Sequence, residues 1–599
     1  MTAPAPRTRR RGVRVGAAVV LVLLAAAVWS GVRAVLAKGH LDAARGQLEV
    51  ARTALLDRRL DAADAAVTSA GRDTRAGRRL TGDPVTWVLA HVPVLGNSLA
   101  VARGISAGAD DIARRVLPGA LKAAALIDPK TLRGPDGTVD VALLRRAAPG
   151  LASAAATSRQ VARDVHGLPT LLVPGVVARG RATFDAQAAT LARTLSGASD
   201  AVSIAPALLG EDRPRRWFVL VQQTDESRGT GGLPGGFAVV DARRGRVKVL
   251  TQGSNADLDL QRVVAPGPGI PTAFVDRYSP LATFSDWRNV NVSPDLPVVA
   301  RVVAQRWAAQ GGTPVDGVIT LDAVALADLL RGAAPIPVSA GRTITADTVV
   351  QYLSLGQYVG VSDQAGRKEQ LVGVARAAIG QLTGGSGDTA QTLRGLVEAL
   401  TSGHLHMASD DPAVAPVLAR TGVDAHLPAG AAPVAYPVVF NASGGKLDQF
   451  LTRSVSYRAG SCDGPRRRST ITVTLRSDPP ALASLPPYVT IRADGAPSRH
   501  SLVNHVGLSV YATRGALLTD AALDGRPLPL DLTANVPDAL QVGTEAGLPV
   551  WLTYLDLPPG ADRTLVLHLV EPTSPGSARV PEQALATPLR REVSVPACG

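Results

Sequence analysis

The sequence predicts a multidomain α+β chain: an N-terminal transmembrane helix, a helical stalk or bundle, a central α/β domain and a C-terminal β-sandwich. Three observations predict it. A charge-free apolar run follows a basic tail, Ala-rich helical patterning continues to about residue 204, and strands then take over, first alternating with helices and finally alone. At 599 residues the chain is too long for one core. The expected boundaries are a cytoplasmic basic tail at 1–14, the span at 15–36, the stalk at 37–210, the α/β domain at 211–400, a bridging segment at 401–448 and the sandwich at 449–599.

Val15 to Val32 carries no charge, and Arg7, Arg9, Arg10, Arg11 and Arg14 precede it without an acid. Eighteen largely apolar residues suffice to cross a bilayer with slight adjustment, and the arginines place the N-terminus in the cytoplasm. The alternative is a cleaved signal peptide, with Ala34–Ala37 as the small-residue site. The apolar run exceeds the usual length of a signal sequence, which favours the anchor. Either way the bulk of the chain is extracytoplasmic.

Residues 40–80 read as helix, with Leu41, Leu48, Ala51, Leu55 and Leu56 at helical spacings and Gly82-Asp83-Pro84 as the break. Trp87 to Leu95 is a strongly apolar patch, and further helices are expected at 99–117, 139–165 and 183–204. Strands are expected at Trp217–Gln222, Gly236–Asp241 and Arg246–Thr251, the last two joined by the turn Ala242–Gly245. A helix follows from Asp295 to about Ala309, then the strand Val318–Leu321 and a helix capped by Asp322 and stopped by Gly332. Thr345 caps a helix through Tyr352, and another covers Arg367–Leu382. From Phe450 period-2 segments such as STITVTLRS and RTLVLHLVEP recur between Pro and Gly turns, the pattern of a sandwich.

The net charge is +13, but arginine far outnumbers lysine in an Ala/Gly/Val/Arg-rich composition, so the basicity reads as coding bias. Aromatics are only 4 % and no basic run is interleaved with them, which argues against nucleic-acid binding. Cys462 and Cys598 are the only cysteines. Outside the cytoplasm an isolated pair is most simply one disulfide, the alternative being two free thiols. Neither has a CxxC partner, so redox and zinc chemistry are disfavoured.

The segment Gln222–Phe237, QQTDESRGTGGLPGGF, resembles the signature of the domain-of-unknown-function 4012 family through Gln222, Glu226, Arg228, Thr230, Gly231, Gly232 and Phe237, with Gln223 in place of the usual Asn. Ser293–Pro297, Val315–Ile319, Gly444–Asp448 and the run from Gly82 also look familial. The resemblance implies an uncharacterised, membrane-anchored protein of actinobacterial type. More distantly, the order of elements is similar to that of the LytR-CpsA-Psr family. It implies a Mg-dependent phosphotransferase that moves polyprenyl-linked glycopolymers, with arginines on the pyrophosphate and acids on Mg²⁺. The chain departs from that pattern after Gln351. The arginines expected near Tyr352 are absent and Glu369 stands where an arginine is expected, leaving Asp363 and Arg367. A non-enzymatic role is therefore slightly favoured.

Asp225, Glu226 and Arg228 are the first ligand-binding candidates, at the end of a buried strand beside Gly229–Gly236, whose amides suit an anion. Asp257, Asp259 and Arg262, after the third strand, are expected to face the same cleft, Arg367 is a further ligand-binding candidate, and Arg288, Asn289, Asn291 and Asp295 are weaker ones. Against this stands an ordinary Glu226–Arg228 ion pair with the glycines serving the turn. Asp316 reads as a turn residue and His404/His406 as too few for a metal. The GxSxG match at 104–108 sits in a helical pattern, and Asn441-Ala442-Ser443 is only a formal sequon. The expected function is binding or transfer of an anionic, lipid-linked glycopolymer. The alternative is a scaffold whose stalk and sandwich bind proteins.

Overall fold

The computed structural model describes residues 8–57, 59–92, 94, 96–259, 262–338, 343–358, 373–380, 388–531 and 539–598, without the side chains of 8–24, 27, 55, 56 and 130. The chain forms two compact units, one of residues 1–132 and 140–206, the other of 133–139 and 207–599.

The first unit is helical: α1 (Thr8–Leu56), α2 (Leu60–Thr81), α3 (Pro84–Ala90), α4 (Asn97–Asp111), α5 (Leu117–Leu126), α6 (Pro129–Leu132), α7 (Val141–His166) and α8 (Gly175–Leu208). The helix expected over 40–80 is two helices. The chain reverses between α1 and α2, where neither Gly nor Pro marks a turn, because Ala51 and Ala54 pack against Ala63 and Ala66 and let the helices approach closely. Asp83 caps α3 by accepting from the amides of Val85 and Thr86 at 3.1 and 3.2 Å, and Asp140 caps α7 likewise. The GxSxG match lies inside α4, where a Cβ on Gly108 would stand 3.1 Å from Phe184 and Val161. Among the described residues no helix is long and apolar enough to cross a membrane. The side chains of the expected span Val15–Val32 lie largely outside the described residues.

The second unit holds the α/β domain and the sandwich. Strands β1 (Arg215–Arg228), β2 (Gly231–Arg243), β3 (Arg246–Ser254), β4 (Gly317–Asp322) and β7 (Leu405–Ser409) form one sheet in the order β3-β2-β1-β4-β7; the short hairpin β5 (Ile336–Pro337)–β6 (Thr343–Ile344) stands apart. Only β1 and β4 pair in parallel. Arg244 and Gly245, both with positive φ, turn the β2–β3 hairpin. Alternation along β1 sends Phe218 and Leu220 to one face, against α9 (Thr272–Tyr278) and α10 (Leu296–Ala309). Trp217 and Val219 go to the other, which also carries α11 (Ala323–Leu329), α13 (373–380) and α14 (Thr389–Thr401). Asp322 caps α11 through the amides of Val324 and Ala325. The helix expected from Thr345 starts later, as α12 (Val349–Ser354), because the side chain of Thr348 turns back onto the Thr345 amide.

The stretch 401–448 does not stand alone. It supplies β7 to the central sheet, then α15 (Ala415–Thr421), then β8 (Ala435–Asn441) to the sandwich. The sandwich strands are β8, β9 (Leu451–Ala459), β10 (Arg466–Ser477), β11 (Asn504–Ala512), β12 (Leu517–Leu523), β13 (Arg526–Pro527), β14 (Leu530–Asp531), β15 (Leu540–Glu545), β16 (Leu548–Leu557), β17 (Asp562–Pro572) and β18 (Leu589–Ser594). The two sheets run β13-β12-β17-β10-β9-β18 and β14-β15-β16-β11-β8, with Val455, Ile471, Val473, Leu508, Val510 and Leu567 in the core between them. Cys462 and Cys598 are disulfide-bonded, closing the chain just after β9 to its end.

The central domain and sandwich share buried contacts. Phe440 and Leu552 join the apolar cluster around Phe218. Glu545 is fully engaged: Oε2 accepts from the hydroxyls of Tyr278 at 2.6 Å and Tyr511 at 2.5 Å, and Oε1 from Ser293 at 2.6 Å.

Candidate functional site

The site begins with an irregularity in β1. The strand does not stop at Gln222; it runs through to Arg228, but its pairing with β2 jumps from Gln223–Leu233 to Ser227–Gly232. Thr224, Asp225 and Glu226 therefore have no partner on β2. A bulge of this kind turns side chains out of the ladder, and it brings both carboxylates to one buried ammonium. Lys446 Nζ bonds to Glu226 Oε1 and lies 3.5 Å from Asp225 Oδ2. The Gln223 amide oxygen is 3.3 Å away, and the rings of Tyr358 and Tyr488 stand 5.6 and 5.7 Å from the ammonium. Lys446 reaches this position because Gly444 takes a positive φ and because a Cβ on Gly445 would stand 2.5 Å from the Ile491 carbonyl oxygen.

The residues that build this bulge lie in a recognisable segment. Residues 212–358 match the family described as "Protein of unknown function (DUF4012)". This segment is similar to the DUF4012 family. The match ends at Tyr358, so the DUF4012 segment supplies the carboxylates and one tyrosine, while Lys446 and Tyr488 come from beyond it. No curated protein and no solved structure matches the chain.

Electrostatics follow from burial. Desolvation pushes the Asp225 carboxyl up to about 6, against the pull of Lys446. Burial also opposes the charge on Lys446, but Asp225 and Glu226 outweigh it and the ammonium is held well above its ordinary value. The tyrosine hydroxyl of Tyr358 is raised, chiefly by burial.

Arg228 in the DUF4012 segment forms no ion pair with Glu226, although Glu226 and Asp448 are near enough to favour its charge. Its Nε donates to the Arg288 carbonyl at 3.0 Å and to Asn289 Oδ1 at 3.1 Å; Nη1 donates to the carbonyls of Ser227 at 2.8 Å and Asn441 at 3.3 Å. It fastens loops together. Next to it Asp448 accepts from the amide and hydroxyl of Ser227 and from the side chains of Asn441 and Asn504. Asn441, the asparagine of the formal sequon, is buried. The glycine run serves close packing: a Cβ on Gly229 would stand 2.1 Å from the Val292 carbonyl oxygen, and one on Gly232 2.2 Å from Gln223 backbone.

The remaining candidates disperse. The Asp257 carboxylate accepts from the amide and hydroxyl of Ser254 at 2.7 and 2.9 Å, closing a short turn. Asp259 pairs with Arg262 at 3.0 Å on the surface. Arg367, with Asp363, lies outside the described residues. Asn291 donates to Thr230 and to the Gly232 carbonyl, Arg288 pairs with Asp286, and Asp295 is buried with its carboxyl raised to about 6 by desolvation. Asp316 accepts from the Arg216 amide and pairs with Arg213. His404 bonds to Asp322 at 2.5 Å and His406 to the Val423 carbonyl.

Asp225 also lines a small cleft of about 40 Å³ between the ends of β1–β3 and α12, with Phe237, Gln252, Ser254 and Leu353 among its walls. Among the described residues two buried acceptors there, Asp225 Oδ2 and Gln252 Oε1, receive no hydrogen bond, Asp225 Oδ2 having only the Lys446 ammonium at 3.5 Å. The fit to Mg²⁺ is poor. The point where Asp225 and Glu226 converge is taken by the Lys446 ammonium, and among the described residues no group of three His, Cys, Asp or Glu is placed to hold a metal. Lys446, Asp448 and the tyrosines were missed as site residues. The available signal was composition: Lys446 is one of six lysines in an arginine-dominated chain, set in GGKLD.

Proposed function

We propose that this chain is a single-pass cell-envelope protein, anchored by Val15–Val32, whose central domain binds a hydroxyl-rich stretch of an envelope glycopolymer without transferring it. The observation that carries this reading is a pair of buried acceptors in one cleft, Asp225 Oδ2 and Gln252 Oε1, that receive no hydrogen bond among the described residues. A buried acceptor without a donor costs free energy, and sugar hydroxyls are donors of the right kind. Ligand sites commonly combine an apolar wall with a few such polar groups, and Phe237 and Leu353 supply the wall. The neighbouring cations, Lys446 and Arg228, are already engaged, which weighs against a pyrophosphate as the group bound in this cleft. The basic tail before an apolar run and the disulfide support the extracytoplasmic location.

The test is titration of the full chain in lipid nanodiscs with neutral cell-wall oligosaccharides and, separately, with polyprenyl pyrophosphate with and without Mg²⁺. Binding of the oligosaccharide that weakens on Gln252→Ala supports the reading. Binding or turnover of polyprenyl pyrophosphate that requires Mg²⁺ replaces it with the transferase reading. If neither binds, the scaffold reading takes over.

A further inference from the structure

The helical unit carries a second surface that the cleft does not explain. Arg33, one residue past the apolar run of α1, donates to the carbonyls of Leu80 and Arg79 at the end of α2, and pairs with Asp83. The hairpin geometry explains why. From Arg33 to the end of α1 is ~35 Å of helix, and α2 covers ~33 Å on the way back. The chain therefore returns to the level where the apolar run ends. There α3 is fastened to α1 by the Thr86 hydroxyl donating to Ser30 Oγ at 3.0 Å. The loop between α7 and α8 arrives at the same end, where Asn97 Nδ2 donates to the Leu171 carbonyl at 2.7 Å.

This end is apolar and open. Trp29 is 52 % exposed, Trp87 50 %, Leu171 65 % and Leu172 72 %, with Val88 and Val176 beside them. Of the exposed large apolar side chains described on this unit, all but Val50 and Leu60 lie within 28–36, 85–94 or 171–176. Patches of this extent on a folded surface mark an interaction. The surrounding charge has one sign. Between 82 and 97 the only acid is Asp83, which is occupied as the α3 cap, and there is none between 167 and 181. Arg79 and Arg179 are exposed near its edges, and the Arg33 guanidinium lies 5.2 Å from the Trp29 ring. Tryptophans with flanking cations suit the headgroup layer, where the ring is half apolar and the cation meets phosphate.

We propose that this end of the helical unit rests on the lipid bilayer, with Trp87, Val88, Leu171, Leu172 and Val176 seated among the headgroups around the anchor. The inference rests on the reading of Val15–Val32 as the anchor, with which the patch is continuous through Ser30 and Arg33. It makes the unit a footed pedestal rather than a tethered stalk.

The experiment uses the full chain in vesicles of phosphatidylethanolamine and phosphatidylglycerol. Val88→Cys, Leu172→Cys and, as a control towards the far end, Val50→Cys each carry an environment-sensitive fluorophore, attached with the native disulfide intact. All three sites are exposed, so labelling does not disturb packing. Phospholipids brominated near the headgroup should quench the labels at 88 and 172 several-fold more than the label at 50, and the first two should emit to the blue. If the chain floats with the vesicles but all three labels behave alike, the lipid contact is wrong and the anchor stands. If 88 and 172 shift to the blue without quenching, a protein covers the patch and the proposal is overturned. A chain that does not float at all overturns anchor and foot together.

Discussion

Two of the buried acid clusters in the larger unit differ in how completely they are satisfied. At Glu545 both carboxylate oxygens accept short hydrogen bonds from Tyr278, Tyr511 and Ser293, joining the central domain to the sandwich. At Asp225 and Glu226 the charge is answered by Lys446, yet among the described residues Asp225 Oδ2 receives no hydrogen bond, and it faces a cleft. The two hold comparable side chains at comparable burial. The first is closed and serves as a clamp; the second has capacity left over, and unmet capacity beside open space is what a ligand can use.

The sharpest way to break this comparison is to remove the ammonium. Lys446→Met leaves two buried carboxylates without a counter-charge and is expected to destabilise the fold by about 3–5 kcal/mol, read as a lowered urea midpoint. A variant as stable as the parent would mean that Asp225 and Glu226 are solvated, and the cleft argument would lose its base. Glu545→Gln keeps the shape and removes the charge from the clamp; a loss of about 1–3 kcal/mol is expected, with oligosaccharide binding unchanged. If binding falls as well, the clamp and the cleft are one system.

The smallest effect concerns pH. Asp225 holds its proton more tightly folded than unfolded, since its value of about 6 lies above the ordinary 3.8. Its contribution to stability is therefore fully present below about pH 4 and is lost as pH rises through about 6. Asp295, raised in the same direction, adds to this slope. Asp225→Asn should flatten the fall in stability between pH 4 and 7 by on the order of 2 kcal/mol, measured by urea unfolding at both values. Parallel curves for parent and variant would assign the titration elsewhere.

How much of the site was legible depended on distance along the chain. Asp225 and Glu226 announced themselves as charges at the end of an apolar strand. The Arg244-Gly245 turn, the break at Gly82-Asp83-Pro84 and the cap Asp322 were readable because a cap or turn is made by neighbours. Arg228 pointed the wrong way: as a lone arginine beside glycines it suggests an anion, but its donors go to carbonyls of Arg288, Ser227 and Asn441. The reversal between α1 and α2 was invisible because small buried alanines, not turn residues, dictate it. The stretch 401–448 looked like a linker because its strands β7 and β8 belong to different sheets.

By itself the sequence determined the order of helical, mixed and all-β regions, since periodicity and caps are local properties. It also determined the apolar run Val15–Val32 and the pairing of two lone cysteines. The tertiary structure alone decided that a three-residue bulge turns Asp225 and Glu226 onto Lys446, some 220 residues away, and that Arg228 is spent on backbone carbonyls. The physical reason is that a buried charge is settled by whichever partner the fold delivers, and pairing of this range leaves no local pattern in the chain.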